Sequence, residues 1–309
     1  MNGEAGLTYG AGHKANGEND EIKHAPNGDG ASKARAIGTT DWMNKKGLKG
    51  GCSDGDPAVS SGTSIFDPVL CELAYLWFSP PGGLVLDPFA GGSVRGIVAS
   101  KLGRQYIGLE LRADQVAANR AQGDEICHEA AFPPAWIAGD SRMMDKTCAD
   151  VRADMIFSCP PYADLERYSD DPLDLSTMPY AEFRVAYAEI IAKSCSQLKQ
   201  DRFACVVVGE VRDKRGNYVD FVGDTVQAFR DAGLEYYNEA ILITAVGSLP
   251  IRAGKQFSAS RKRGKTHQNV LVFVKGDGKR AAQACGTVEI SDDCFAGVAG
   301  DESGATESF

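Results

Sequence analysis

The segment 154–162, DMIFSCPPY, contains the residues best suited to chemistry. Its apolar residues predict a buried strand that ends in a double proline. Proline fixes φ and removes a backbone donor, so the turn should be rigid, with carbonyl groups that can point at a ligand. Cys159 adds a thiol, which acts as a nucleophile when it is deprotonated. We predict a catalytic turn made of Ser158, Cys159, Pro160, Pro161 and Tyr162.

Three acidic residues end three successive predicted strands. The segment 84–93, LVLDPFAGGS, is a strand that leads from Asp87 into a glycine-rich turn, where the backbone can approach a ligand closely. Glu110 ends the next strand, where a carboxylate can accept hydrogen bonds from both hydroxyls of a ribose. Asp140 ends the third and could accept from an adenine amino group. These residues indicate a cofactor site, although both later acids also suit helix N-termini.

The charge is unevenly distributed along the chain. A net charge of -9 argues against a polyanionic partner, because phosphate binding depends on Lys and Arg. The segment 252–280, however, contains nine basic residues and a single acid, Asp277. A local basic face can bind DNA on an acidic protein, and a solvated loop without a partner is the alternative. The predicted phosphate contacts are Arg252, Lys255, Arg261, Lys262, Arg263 and Lys265.

Short β-branched runs alternate with amphipathic segments, which predicts an α/β fold with a mainly parallel sheet and helices on both faces. Two of the seven strands follow one another without a helix, so one strand should be antiparallel. The helices are expected near 66–78, 93–102, 113–122, 180–199 and 219–232. The strands are expected at 84–87, 105–110, 135–139, 154–158, 203–209, 234–244 and 269–275.

The domain predicted from these elements covers residues 61–279, with a cofactor half, 61–150, and a catalytic half, 151–279. Residues 1–60 and 280–309 are small and polar, so they bury too little apolar surface to offset the entropy cost of ordering, and we predict disorder. No apolar run of about 18 residues and no signal pattern is present, so we expect a cytoplasmic protein outside any membrane. The nine cysteines lack metal-ligand spacing, so no metal is expected.

This succession of motifs, over roughly residues 63–275, resembles the amino-DNA methyltransferases, which modify cytosine N4 or adenine N6. In that family an Asp-Pro-Phe-x-Gly-x-Gly turn binds the methionine part of S-adenosylmethionine, although Ser93 here replaces the last glycine. The resemblance implies a Rossmann-like class I methyltransferase fold, and the motif order is similar to small phage-encoded members. The implied cofactor contacts are Ser64, Phe66, Asp87, Pro88, Phe89, Gly91, Ser93, Glu110, Leu111, Asp140 and Ser141.

The resemblance also implies DNA as the partner and a role for each part of the catalytic turn. In the family, acceptors of this turn hold the target amino group, and the aromatic residue stacks on a base flipped out of the duplex. The family has Asp, Asn or Ser immediately before the two prolines, whereas this chain has Cys159, a poor acceptor. The amino group would then rely on the Cys159 or Pro160 carbonyl or on Ser158. The absence of Asp favours cytosine N4 over adenine N6.

Other interpretations remain open. In cytosine-C5 methylation, the Cys159 thiolate would attack the base and Glu210 would serve as the acid. RNA or a protein glutamine could replace DNA as the substrate. A catalytically inactive DNA-binding module would keep the fold without the chemistry. The basic segment favours nucleic acid, and the intact acids and Tyr162 favour an active enzyme, within a restriction-modification system or a phage. The sequence allows a homodimer.

Overall fold

The computed structural model describes residues 66–162, 167–243 and 249–288, and it leaves the side chains of 249–252 undescribed. Within these ranges seven strands alternate with eight α-helices. The strands are β1 (Leu84–Asp87), β2 (Gln105–Glu110), β3 (Ala135–Ala138), β4 (Ala153–Ser158), β5 (Leu198–Val208), β6 (Glu235–Ile243) and β7 (His267–Lys275). The helices are α1 (Pro68–Phe78), α2 (Val94–Lys101), α3 (Ala113–Cys127), α4 (Met144–Thr147), α5 (Tyr180–Gln197), α6 (Phe221–Asp231), α7 (Leu249–Ser260) and α8 (Gly278–Cys285).

The seven strands form one sheet in the order β3-β2-β1-β4-β5-β7-β6. Strands β1 to β5 pair in parallel, and β7 runs antiparallel to both β5 and β6. The chain builds outward from β1 to β3 and then returns to add β4 on the other side of β1. Ligands of open α/β sheets bind at such a switch point, beyond the carboxyl ends of the strands. The predicted Rossmann-like sheet with one antiparallel strand is confirmed.

Both faces of the sheet are buried, as expected for parallel strands covered by helices. Val85 and Phe157 pack into an apolar cluster with α1, α2, α3 and α8. Leu86 and Ile156, their neighbours along the strands, pack into the opposite cluster with α5 and α6. The near-continuous apolar runs of β1 and β4 therefore follow from burial on both sides.

Asp154 fixes the starting ends of three central strands. Its carboxylate, which is 7% exposed, accepts from the Leu84 N–H at 3.1 Å, from Lys199 Nζ at 2.9 Å and from Arg202 Nε at 3.1 Å. Burial alone would raise the pKa of Asp154, but these hydrogen bonds outweigh it and hold the pKa below its usual value. Because Asp154 aligns β1, β4 and β5 at their starting ends, their carboxyl ends lie together at the opposite edge of the sheet.

Three helices, α4, α7 and α8, were not predicted from the sequence. Helix α7 lies inside the basic segment, between β6 and β7, where no helix was expected. Helix α8 continues past residue 279, where the domain was predicted to end: Asp277 caps the helix by accepting from the Arg280 N–H at 2.8 Å, and Ala281 and Cys285 are buried. The predicted N-terminal segment, 1–60, lies outside the described residues.

Cysteines and acids in the described ranges form no recognisable metal centre. No group of three or more His, Cys, Asp or Glu residues there could hold an ion. The seven cysteines described are free thiols, and six are buried, whereas Cys159 is half-buried at the predicted catalytic turn. In the same part of the chain, no helix is both long and apolar enough to span a membrane.

Candidate active site

Strands β1 and β4 are parallel neighbours, so the turns that follow them open at the same edge of the sheet. Val85 pairs with Met155 in this ladder. One hydrogen bond joins the two strand ends directly, because the Ser158 hydroxyl donates to Asp87 Oδ1 at 2.5 Å. The predicted cofactor turn and the predicted catalytic turn thus begin at two residues in contact.

Asp87 is fully buried and anchors the cofactor turn from within. Its Oδ2 accepts from Arg95 Nε at 2.6 Å and from the Tyr106 hydroxyl at 2.8 Å, while the Phe89 N–H donates to Oδ1 at 3.1 Å. Burial alone would lower the pKa of Arg95, but the neighbouring Asp87 charge outweighs it and raises the pKa above its usual range. The Asp87 carboxylate therefore holds the turn in shape and does not itself face solvent.

Arg95 is a site residue that the sequence prediction missed. Its Nη2 atom donates to the carbonyl oxygens of Phe89 and Ala90, at 2.6 and 2.8 Å, so one guanidinium holds both the acid and the turn that follows it. The guanidinium also lies 4.7 Å from the centre of the Phe66 ring. The available signal was an arginine in the first turn of the helix after a glycine-rich strand end. Phe66 therefore packs on the residue that holds the cofactor turn.

The glycines of the cofactor turn leave open space beside the backbone. Gly91 has φ +51°, in the left-handed region that favours glycine, and a Cβ added to Gly91 or Gly92 would meet no atom within 4 Å. The Asn119 amide donates to the Gly91 carbonyl at 2.7 Å. The turn is fixed from one side and open on the other, which is the arrangement a bound ligand requires.

Glu110 and Asp140 lie on the same edge, at the ends of β2 and β3. Glu110 accepts from the Gly91 N–H at 2.9 Å and from the Arg112 N–H at 3.0 Å. Burial raises the pKa of Glu110, and these two hydrogen bonds only partly oppose the shift. Asp140 accepts from Arg142, both from its backbone N–H at 2.9 Å and from its guanidinium in a salt bridge at 2.8 Å. Each acid is held by the residue two positions further along the chain, and Glu110 is also held by Gly91 of the cofactor turn.

The turn after β3 is tied to the turn after β1. The Ser141 hydroxyl, which is buried, donates to the Pro88 carbonyl at 2.6 Å. Phe89 stacks on Tyr187 of α5, with ring centroids 5.8 Å apart. The predicted residues Pro88, Phe89 and Ser141 therefore contribute to the rigidity of the site.

The other three predicted cofactor residues are Ser93, Leu111 and Ser64. The Ser93 hydroxyl donates to the Gln122 side chain on α3, so it braces the turn against a helix. Leu111 directly follows Glu110 and is half-buried. Ser64 lies outside the described residues. Ser93, at the position of the family's last glycine, thus stabilises the turn through its hydroxyl.

The catalytic turn contains buried and accessible parts. Ser158 is 1% exposed and its hydroxyl is used by Asp87, so it positions the turn and does not present an acceptor to the crevice. Pro160 is buried, whereas Cys159, Pro161 and Tyr162 are half-buried. The Cys159 sulfur lies 3.6 Å from the Tyr162 hydroxyl. The accessible chemistry of this turn lies in its carbonyls, one thiol and one phenol.

Tyr162 is oriented by residues from two other elements. Gln268, at the start of β7, donates from Nε2 to the Tyr162 hydroxyl at 2.5 Å. Phe221, at the start of α6, meets the Tyr162 ring edge-on, with centroids 6.1 Å apart. The sequence prediction did not include Gln268, because a lone glutamine beside an apolar strand carries no local signal. These contacts fix both the position and the plane of the phenol ring.

Glu210 follows β5, the neighbour of β4, as predicted. Its Oε1 accepts from the Val222 N–H at 3.3 Å, next to the Phe221 that packs on Tyr162. Its Oε2 is buried and has no hydrogen-bond partner among the described residues. A buried polar atom without a partner costs free energy, so this oxygen favours a ligand that brings an N–H or O–H group.

The predicted phosphate contacts lie on α7 and on the segment that links α7 to β7. Lys255 and Arg263 are exposed, and Lys262 is half-buried. Arg261 is exposed with its guanidinium 5.2 Å from the centre of the Phe257 ring, and Lys265 Nζ donates to Asn269 Oδ1 at 3.3 Å. The Arg252 side chain lies outside the described residues. The structure places the five described cations in one short stretch of chain.

Comparisons with known proteins match the cofactor half of this site. Residues 70–120, which contain Asp87, the glycine-rich turn and Glu110, match the model of the DNA methylase family. The sequence is 37% identical over 59 residues to the Type II methyltransferase M.SmaI of Serratia marcescens, covering 19% of this chain and 20% of that protein. It is 37% identical over 71 residues to the Type II methyltransferase M.Cfr9I of Citrobacter freundii, covering 22% and 24%.

A third relative is the DNA adenine methyltransferase YhdJ of Escherichia coli, which is 40% identical over 53 residues, covering 17% of this chain and 18% of that protein. The chain thus matches less than a quarter of the length of each of these relatives. The predicted resemblance is confirmed over residues 70–120. The catalytic turn at 158–162 lies beyond that match.

Proposed function

We propose that this chain, which carries the DNA methylase family segment over residues 70–120, is a DNA methyltransferase that uses S-adenosylmethionine. The hydrogen bond between Ser158 and Asp87 carries the proposal, because it brings the end of the cofactor strand and the end of the catalytic strand together. Methyl transfer requires the donor and acceptor atoms at about 3–3.5 Å, so two rigid turns at one switch point suit it.

The cofactor edge fits S-adenosylmethionine in shape and chemistry. Three carboxylates end three adjacent strands, and Gly91 and Gly92 leave open space between them. In the proposed complex Glu110 accepts from the ribose hydroxyls, Asp140 lies toward the adenine, and the turn held by Asp87 and Arg95 carries the methionine end. When bound, the cofactor supplies an electrophilic methyl group.

The catalytic turn supports an amino group as the acceptor. Tyr162, held in plane by Gln268 and Phe221, is the proposed stacking platform for a flipped base. The carbonyls of Cys159 and Pro160 and the unpartnered Glu210 Oε2 are acceptors for the hydrogens of an exocyclic amine. In the proposed transfer, the amine nitrogen would bond to the methyl carbon as that carbon's bond to sulfur breaks; the carbonyls would hold the amine hydrogens, and the Glu210 carboxylate would take up the released proton.

Cytosine N4 is the favoured target atom within this proposal. Adenine N6 is the alternative, and the position before the two prolines bears on the choice, since Cys159 occupies it instead of the Asp that would favour adenine. Cytosine C5 is a third product with a specific observation behind it. Among the described cysteines, Cys159 is the half-buried one. The buried Glu210 Oε2 has no hydrogen-bond partner among the described residues.

The test is to incubate the full chain with duplex DNA and methyl-labelled S-adenosylmethionine, digest the DNA to nucleosides, and identify the product by mass spectrometry. The proposal predicts N4-methylcytosine. N6-methyladenine would keep the amino chemistry and change the base, whereas C5-methylcytosine would replace the mechanism by thiol addition. No methylated nucleoside on DNA of mixed sequence, from a protein that binds DNA, would favour a non-catalytic binding module.

A further inference from the structure

A second basic element faces helix α7, outside the segment predicted from sequence to contact DNA. Residues 211–219 follow β5 and Glu210 and form a hairpin, closed by an antiparallel bridge between Arg212 and Tyr218. Between this hairpin and α7 lies an open cleft of about 510 Å³, which we call the basic cleft. Its walls are Arg212, Asp213, Lys214 and Gly216 on one side and Lys255, Gln256, Ala259, Ser260, Lys262 and Arg263 on the other.

The hairpin wall is built to hold its arginine in place. Arg212 Nη1 donates to the Gly216 carbonyl at 2.7 Å, and its guanidinium lies 3.8 Å from the centre of the Tyr218 ring. The Asp213 N–H donates to the Asn217 carbonyl at 2.8 Å within the same hairpin. An arginine pre-ordered in this way loses less entropy when it binds an anion than a free side chain would.

The two walls touch at Gly216. This residue has φ +87°, and a Cβ built on it would lie 1.7 Å from Lys262 Nζ. The positive φ favours glycine at this position, and the short distance shows how closely the lysine approaches the hairpin backbone. The Lys262 ammonium is thus seated against the hairpin, inside the cleft and not out in solvent.

The charge of the cleft is strongly one-sided. Five cations line it against one acid, Asp213, whose carboxylate already accepts from the Asn217 N–H at 2.8 Å and approaches Arg215 at 3.5 Å. Among the described residues, the cleft cations Lys214, Lys255, Lys262 and Arg263 form no salt bridge. Clustered cations without acidic partners raise the local concentration of anions, so the cleft suits a polyanion.

The cleft grows from the strand ends that hold the catalytic turn. Val208 of β5 pairs with Asn269 of β7, and the hairpin begins three residues after Val208. Next to that pair, a Cβ on Gly209 would meet the Gln268 side chain at 3.8 Å, and Gln268 donates to Tyr162. One wall therefore leaves β5 and the other enters β7 beside the residue that orients the stacking phenol.

We propose that the basic cleft binds the phosphodiester backbone of DNA next to the flipped base, with Arg212 and Lys214 as a second phosphate-binding wall opposite α7. This inference rests on the proposed function, because the cleft would hold the DNA strand whose base is flipped toward Tyr162. Five of the ten residues that line the cleft are Lys or Arg, so the proposed contacts are to phosphates, which carry no sequence information. It positions the duplex, and base choice stays with the catalytic turn.

The test compares Lys214→Ala and Lys255→Ala, one from each wall, with Lys101→Ala as the matched control. Lys101 is an exposed lysine at the end of α2, which starts at the catalytic edge and runs toward the opposite one. Affinity for a fluorescent duplex is measured by anisotropy against KCl concentration. Each cleft variant should bind more weakly and lower the slope of log K against log salt by about 0.9, the value for one lost phosphate contact, while Lys101→Ala leaves it unchanged.

Unchanged slopes in both cleft variants, or no binding of DNA by the unmodified chain, would overturn the cleft assignment. Equilibrium binding needs no methyl transfer, so the result is separate from the test of activity. A reduced slope in a protein that forms no methylated base would support the cleft and reject the enzyme. Methylated DNA together with unchanged slopes would support the enzyme and reject the cleft. Competition by inorganic phosphate as effective as by duplex DNA at equal phosphate concentration would also overturn a backbone site.

Discussion

The Ser158 hydroxyl donates to Asp87 Oδ1 at 2.5 Å, across two strands that are 71 residues apart in sequence. Both residues are buried at the switch point between β1 and β4. The bond explains why a serine precedes the cysteine of the catalytic turn: it aligns that turn with the cofactor turn. Because the Ser158 hydroxyl is bonded to Asp87, the carbonyls of Cys159 and Pro160 are the proposed acceptors for the target amino group.

Replacement of Ser158 by alanine should destabilise the protein. The Asp87 carboxylate would lose a hydrogen bond inside the core, and bonds to charged groups contribute about 1.5–3 kcal/mol. Ser100→Ala is the matched control, because the Ser100 hydroxyl is equally buried but has no hydrogen-bond partner among the described residues. Urea denaturation should show a clear loss of unfolding free energy for Ser158→Ala and a much smaller one for Ser100→Ala. Equal losses would contradict the anchoring role.

Cofactor affinity should fall in acid earlier than for an ordinary glutamate site. Burial raises the pKa of Glu110, so its carboxylate becomes protonated at a higher pH than usual and then accepts hydrogen bonds from ribose hydroxyls less well. Affinity is full above the raised pKa and is lost as the pH falls through it. Calorimetric titration with S-adenosylhomocysteine across pH, on protein shown to be folded by circular dichroism, measures the effect.

Glu110→Gln provides the comparison for that titration. An amide does not titrate, so this variant should bind weakly at every pH and show a flat profile over the range where the unmodified chain changes. If both proteins lose affinity in parallel as the pH falls, another group is responsible and Glu110 does not contact the ribose.

Tyr162 and Gln268 should act as one unit in turnover. Tyr162→Phe and Gln268→Ala remove the same 2.5 Å hydrogen bond, so the double variant should be little worse than either single one, with a coupling energy of about 1 kcal/mol. Gln227→Ala is the control, since Gln227 is exposed on α6 and its side chain donates to Asp231 at 2.7 Å, away from Tyr162. Its effect should add to that of Tyr162→Phe. Additivity of Gln268→Ala with Tyr162→Phe would remove Gln268 from the site.

Cys159→Ser separates the two chemistries at this turn. In amino transfer the residue contributes its carbonyl, so the serine variant should keep methyl transfer within about tenfold of the unmodified rate, a change of about 1.4 kcal/mol in the barrier. In C5 transfer the thiolate is the nucleophile, so the same variant should lose all activity. Initial rates with labelled S-adenosylmethionine decide between them.

Local patterns predicted the sheet well because the strands are buried on both faces. The bounds of β1 and β2 follow directly from their apolar runs, and the glycine-rich turn after Asp87 follows from residue type. These features depend on neighbours in sequence. The antiparallel direction of β7 was predicted correctly but from a wrong premise, because helix α7 lies between β6 and β7, where no helix was expected.

The sequence prediction missed two residues that complete the site. Arg95 is defined by its bond to Asp87, and Gln268 by a hydroxyl 106 residues away. Arg95 lies only eight residues after Asp87 and offered a signal in the first turn of its helix, whereas Gln268 carries none in its own segment. Helix α8 was missed for a related reason: Ala281 and Cys285 form a short apolar stripe in an otherwise polar stretch, and only the groove between α1 and the sheet buries it.

Photolabelling is the most direct test of whether the two turns share one crevice. Ultraviolet irradiation of the full chain with methyl-labelled S-adenosylmethionine, followed by proteolysis and mass spectrometry, identifies the peptide nearest the methyl group. Label on the peptide that contains Cys159 and Tyr162, suppressed by excess S-adenosylhomocysteine, is the predicted result. Label confined to peptides far from both turns, or no specific label, would contradict the assignment.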